Sequence, residues 1–146
     1  SLLMDKHNSQ DLLGIIDNYE VKAMIIGVGC DIIEVERLKK SVDKESFRET
    51  IFAPAEIVYC EEKGAHNLES YAARFAGKEA VAKALGTGFR QGVLQEITIT
   101  NDDLGQPSVL LSGYFKTLAD EKGVKKIHIS LSHCKEYAVA QVVLED

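Results

Sequence analysis

Four polar side chains stand where propensity and hydrophobic patterning do not explain them. Asp31 follows two glycines in a β-branched segment, Glu79 and Lys83 lie four residues apart in an alanine-rich one, and His133 ends a strand-like run. Two carboxylates beside a lysine suit magnesium-assisted phosphate chemistry, because the ion takes hard oxygens at about 2.1 Å and leaves positions for substrate phosphates and water. Lysine adds a point charge for a phosphate oxygen. The turn GTGFRQG, residues 86–92, offers backbone N–H groups to an anion, although no Gly-Lys-Ser/Thr follows to make a P-loop. Each feature also has a plainer reading. Glu79 four residues before Lys83 is the favoured helical ion pair, a carboxylate among strand glycines fits a solvent-facing bend, and a lone histidine is more often structural than catalytic.

The element that must carry two of these groups runs from Tyr71 to Gly88, YAARFAGKEAVAKALGTG. Alanine-rich, free of proline and closed by Gly86 and Gly88, it predicts a helix beginning near Asn67. At 100° per residue Ala72, Ala76, Glu79 and Lys83 share one stripe while apolar residues cover most of the rest, which predicts a buried helix. Burying Glu79 and Lys83 demands opposite charges for both. Asp31 belongs to a strand over Met24–Glu34 with Ile26, Val28, Cys30 and Ile32 on one face. The other face carries Gly27, Gly29 and Asp31, and those glycines predict close approach of another backbone or a ligand. GVGCDI is not a dinucleotide fingerprint, since Ile32 replaces the third glycine and no helix-opening turn follows.

Between Glu34 and Glu49 five basic and five acidic residues cancel. On an unbroken helix Arg37, Lys40, Lys44 and Arg48 form a basic stripe, either a solvated face or a docking surface, unless Ser41 or Asp43 caps a second helix. A short helix from Pro54 to Glu62, a hairpin of Ile97/Ile99 and Ser108–Leu111, a helix over Tyr114–Lys122 and two closing strands, Lys126–His133 and Tyr137–Leu144, complete the pattern. The expectation is one α+β domain over residues 24–146, a mainly antiparallel sheet packed on one long buried helix. Residues 1–23 read as an appendage or tag remnant with one amphipathic stretch, DLLGIIDNYE, weakened by Gly14.

Composition narrows the class. The 146 residues are 45% hydrophobic and 27% charged, enough for a sizeable core. A net charge of −6 speaks against general nucleic-acid binding. No membrane-length apolar run or secretory signal is expected, which points to the cytoplasm. Cys30, Cys60 and Cys134 are too dispersed for a disulfide framework or zinc site and read as reduced, mostly buried thiols.

Three segments together resemble the holo-acyl-carrier-protein synthases, the short-type 4′-phosphopantetheinyl transferases. GVGCDIIEVERL resembles that family's GxGxDI opening, RFAGKEAVAKALGTG its FAxKEAxxKALGTG signature, and SLSHCKEYAVAQVVLE its closing S-x-S-H-x-x-x-Y-A-x-A segment. In order, they span Ile25 to Glu145. The resemblance implies the phosphopantetheinyl transferase fold, and transfer of the 4′-phosphopantetheine arm of coenzyme A to a serine of apo-acyl carrier protein. Adenosine 3′,5′-bisphosphate leaves, and the product serves fatty acid synthesis. Asp31 and Glu79 would be magnesium ligands and Lys83 would neutralise charge as the pyrophosphate link breaks. Ser132 and His133, with Gly86, Thr87 and Gly88, would contact coenzyme A. Arg37, Lys40, Lys44 and Arg48 would face the acidic carrier protein. The nucleophile belongs to the partner, so this chain supplies no nucleophile motif and needs only access to a base. A homotrimer with active sites between subunits is also implied. The alternative is a non-catalytic coenzyme A or nucleotide-binding module of the same fold, which has no need for a pair of metal-binding carboxylates.

Overall fold

A computed structural model describes residues 24–86 and 92–146. The readings made for residues 1–23, for Thr87 and Gly88, and for most of the 86–92 turn fall outside those residues. In chain order the elements are β1 (Ile25–Glu34), α1 (Val35–Val42), α2 (Glu45–Ile51), α3 (Pro54–Glu61) and α4 (Asn67–Ala84), which a 3₁₀ turn, Gly64–His66, precedes. A second 3₁₀ turn, Leu94–Glu96, leads into β2 (Ile97–Asn101), β3 (Pro107–Leu111), α5 (Gly113–Glu121), β4 (Lys126–His133) and β5 (Tyr137–Glu145). All pairing is antiparallel, in a three-stranded sheet ordered β1-β5-β4 and a hairpin of β2 and β3. The last strand is thus the central one. Ala138, Ala140, Val142 and Leu144 alternate along its inner face with no exposure at all, as a half-buried strand requires.

Helix α4 lies against this inner face, and small residues let it come to backbone contact. A Cβ on Gly29 would sit 2.0 Å from the Ala80 carbonyl oxygen, and one on Gly27 2.3 Å from that of Ala84. The strand glycines therefore receive another backbone, and the face bearing Asp31 is the inner one. Val28 and Ile32 point outward, 62% and 63% exposed. Gly77 makes a similar seat, since a Cβ there would meet Ile99 Cδ1 at 2.5 Å. Beyond α4, Gly86 takes φ +80°, the left-handed conformation that ends a helix.

Two apolar groups fill the core along this helix. Val81, Leu85, Ile97, Phe115, Val142 and Leu144 pack around its C-terminal half. Val35, Leu38 and Val42 bring α1, through its i, i+3, i+7 stripe, against Phe52, Cys60 and Tyr71 at the N-terminal half. Burying a phenylalanine such as Phe52 or Phe115, neither exposed at all, contributes about 1.5–3 kcal/mol. The three cysteines are free as expected, but only Cys60 is buried; Cys30 and Cys134 are exposed. Strand alternation places Cys30 on the outer face with Val28, and Cys134 lies in the β4–β5 turn.

The buried charges of α4 are not the pair that its stripe suggested. Glu79 is half-buried and Lys83 is exposed, whereas Arg74 and Lys78 are buried. Lys78 and Glu56 form an ion pair of 2.6 Å with both side chains fully buried. Desolvation lowers the Lys78 pKa, opposed by the adjacent Glu56 charge. Losing one partner of such a pair costs about 3–5 kcal/mol, because the other is left as an uncompensated buried charge.

Candidate active site

The contact of α4 with β1 brings Asp31, Glu79 and Lys83 together. Asp31 lies two residues beyond Gly29 on the same strand face, and Glu79 immediately precedes Ala80, whose carbonyl touches Gly29. Burial raises the Glu79 pKa above the ordinary carboxylate value; the Asp31 charge raises it further and Lys83 partly offsets both. Those causes place the three charges within each other's field. Lys83 Nζ donates to Asp31 Oδ1 at 2.7 Å and to the Cys30 carbonyl at 3.2 Å. Its side chain is 51% exposed and that of Asp31 14%. Lys83 thus pairs across to the strand rather than with Glu79 along the helix, and the hydrogen bond it donates to Asp31 raises its pKa.

Two neighbouring carboxylates, one kept from easy ionisation by burial and then by the charge of the other, form a donor set that a hard divalent cation fits and relieves. The described residues contain no group of three or more His, Cys, Asp or Glu arranged for a metal. An ion held here by Asp31 and Glu79 would take its remaining ligands from water or substrate oxygens.

His133 and Ser132 do not join this centre within one chain. His133 Nδ1 lies 3.3 Å from Glu69 Oε2, ten residues before Glu79, or about 15 Å along α4 at 1.5 Å per residue. His133 instead lines a cleft of about 270 Å³ with Tyr59, Lys63, His66, Arg74 and Asn101. The Arg74 guanidinium stacks 3.9 Å from the Tyr59 ring centre and donates from Nη2 to Asn101 Oδ1, while its Nε has no partner. Lys63 Nζ lies 4.6 Å from the same ring. Two cationic side chains, two histidines that both face Glu69 and the unpartnered Arg74 Nε thus gather at this cleft. The patterning did not single out Arg74. The signal available was a cation, Arg74, flanked by Tyr71, Ala72, Ala73, Phe75 and Ala76 in the apolar part of the helix.

The basic stripe is broken. Asp43 ends α1, Lys44 is extended with φ −89° and ψ 121°, and α2 starts at Glu45. Neither Ser41 nor Asp43 caps it; Lys44 holds that position without a side-chain bond. Arg37 and Lys40 remain exposed on α1, Arg37 3.3 Å from Glu34, and Lys44 is exposed at the junction. Arg48 turns inward: Nη1 donates to the Val42 carbonyl at 2.6 Å, and Nε lies 3.9 Å from Glu61. Glu61 also accepts from the Tyr71 hydroxyl at 2.7 Å. Arg48 ties α1, α2 and α3 together and does not extend the exposed row.

Comparison with known proteins identifies the family. The family model of the 4′-phosphopantetheinyl transferase superfamily matches residues 27–142. A holo-[acyl-carrier-protein] synthase of Ruminiclostridium cellulolyticum is 48% identical over 120 residues, covering 80% of this chain and 90% of that protein. Among solved structures, the holo-[acyl-carrier-protein] synthase of Neisseria meningitidis matches with a TM-score of 0.76 at 32% identity, covering 84% of this chain and 100% of that one. The holo-(acyl-carrier-protein) synthase of Bacillus anthracis, solved in complex with coenzyme A (3′,5′-ADP), matches with a TM-score of 0.70 at 41% identity, over 84% of this chain and 98% of that one. With the signature-bearing helix laid on the glycine strand, and relatives covered over nearly their whole length, the chain belongs to the 4′-phosphopantetheinyl transferase superfamily, among its holo-[acyl-carrier-protein] synthases.

Proposed function

We propose that the chain catalyses magnesium-dependent transfer of 4′-phosphopantetheine from coenzyme A to a serine of apo-acyl carrier protein, releasing adenosine 3′,5′-bisphosphate, for fatty acid synthesis in the cytoplasm. The convergence of Asp31, Glu79 and Lys83 carries this reading. Asp31 and Glu79 are the residues that would hold magnesium, which when bound supplies positive charge to the pyrophosphate of coenzyme A. Asp31 also holds the Lys83 ammonium at the surface, within reach of a phosphate oxygen, where it offsets negative charge that grows as the bisphosphate leaves. The cleft of Arg74, Lys63 and His133 is suited to an outlying phosphate of coenzyme A, and Ser132, next to His133 in the chain, is assigned to the same substrate by its place in the closing motif. Gly86, at the end of α4, and the Thr87–Gly88 segment after it border the same substrate in this reading. A mass spectrum of apo-carrier protein incubated with this chain, coenzyme A and magnesium tests it. Addition of the phosphopantetheine mass is expected; unmodified carrier with coenzyme A recovered intact overturns it.

The outward apolar row of β1, Val28 and Ile32 with Ile25 at 67% exposure, favours a homotrimer in which neighbouring copies cover the sheet. Light scattering is expected to give about three times the 16.1 kDa chain mass. A fully active monomer at all concentrations would contradict it.

Carrier docking then falls to Arg37, Lys40 and Lys44. Arg37→Glu is expected to raise the apparent KM for the carrier about tenfold while leaving that for coenzyme A unchanged, and raised salt should mimic it. Arg48→Glu is expected to lower Tm instead, since it reverses a charge bonded to Val42 and placed beside Glu61. A selective carrier defect with unchanged Tm in Arg48→Glu would return that residue to the docking face.

A further inference from the structure

We propose that the buried Lys78–Glu56 pair is a positioning device for the reaction centre, fixing the rotation and axial register of α4 and thereby the placement of Glu79 against Asp31. This rests on the reading of Asp31 and Glu79 as the metal-holding pair. The seam by which α4 meets β1 is built from Ala80 and Ala84 on Gly27 and Gly29. Such a seam allows backbone contact but supplies few interlocking side chains to resist sliding or turning. Lys78 leaves the helix about 200° around from Ala80, so it grips α4 from the side away from the strand.

Its grip has a single solution. Lys78 Nζ donates to Glu56 Oε1 at 2.6 Å, to the Leu94 carbonyl at 3.2 Å and to the Ile97 carbonyl, three acceptors for three hydrogens. Glu56 in turn accepts from the Ala53 N–H at 2.9 Å through Oε1 and from the Ile99 N–H at 3.1 Å through Oε2. The pair thus references α4 to the start of α3, to the 3₁₀ turn and to β2. Any other rotation of the helix leaves buried charge unpaired, a discrimination that apolar side chains of the same volume do not provide. Glu79 is the next residue along the backbone and inherits the orientation. Lys78 and Glu56 are both fully buried, so neither touches coenzyme A or carrier; they act through Glu79.

Glu56→Asp keeps both charges but draws Lys78 toward α3 by about one methylene, and Glu56→Gln with Lys78→Met removes both charges at similar volume. In the mass-based transfer assay both variants are expected to fold, with kcat lowered about a hundredfold by misplacement and KM for coenzyme A within about twofold of the parent. The rise in Tm that magnesium alone induces in the parent should shrink in both. A purely structural role predicts otherwise: variants whose Tm equals the parent's would have the parent's kcat. Parental kcat and magnesium response in folded Glu56→Asp overturns the proposal, whatever the double variant does. A parent without transfer activity would instead overturn the transferase reading itself, so the two failures are distinguishable.

Discussion

Glu79→Gln is expected to lower transfer by about a hundredfold or more, equivalent to at least about 2.7 kcal/mol of lost transition-state stabilisation, while leaving the metal-free protein as stable as the parent or more so. Two opposed expectations meet at this residue. Were Glu79 the neutralising partner of Lys83, its loss would strand an ammonium and weaken the fold. Lys83 is instead bonded to Asp31 and half exposed, so it keeps its partner in the variant. Burial and Asp31 raise the Glu79 pKa above its ordinary 4.5. A carboxyl that binds its proton more readily folded than unfolded stabilises the fold below its unfolded pKa, and that contribution is lost as pH rises through the folded value. The stability of the parent relative to the variant should therefore decline from about pH 4.5 upward and level off above the raised pKa. Urea melts of both proteins between pH 4 and 8, without magnesium, show the sign. Lys83→Met should keep the response to magnesium and lose mainly kcat, its charge being of most use as the bisphosphate departs.

Gly29→Ala is expected to cost the fold about 3 kcal/mol, the upper end for overpacking, because what the new methyl meets is backbone. Its Cβ would lie 2.0 Å from the Ala80 carbonyl oxygen and 2.9 Å from the Ala84 nitrogen, neither of which can turn aside as a side chain does. Relief requires α4 to lift from β1, which parts Glu79 from Asp31. Activity should then fall even in the fraction that stays folded. Gly123→Ala is the control. With φ +76° and nothing within 4 Å of its Cβ, it should cost about 1–2 kcal/mol of left-handed backbone strain and leave kcat unchanged. Equal activity losses in both variants would show that stability alone, and not the helix–strand contact, limits the reaction.

These residues show how far the sequence could be read. A carboxylate after two glycines in a strand and an acid on an alanine-rich helix are local signals, and the fold joins the two residues by the contact that glycine and alanine permit. Lys83 is different. Its i, i+4 spacing from Glu79 suggests a partner on the same helix, but the partner it takes is 52 residues away, and no local period reports that. Lys78 escaped for the same reason, its partner lying 22 residues earlier on another helix. The even spacing of Arg37, Lys40, Lys44 and Arg48 makes a stripe only on one unbroken helix, and of the two courses open to the chain there it takes the broken one, with extended backbone at Lys44. The strands themselves were legible from their alternation, whereas the central place of β5 depends on tertiary pairing with β1 and β4.

The most direct measurement is Mn²⁺ titrated into the protein and followed by electron paramagnetic resonance, with coenzyme A present, for the parent, Asp31→Asn and Glu79→Gln. The free-ion signal should fall in the parent with about one ion bound per chain, and each substitution should weaken that binding by at least about tenfold. Undiminished Mn²⁺ binding in a protein carrying both substitutions, or full transfer activity by the parent in excess chelator, would contradict a metal centre built from Asp31 and Glu79.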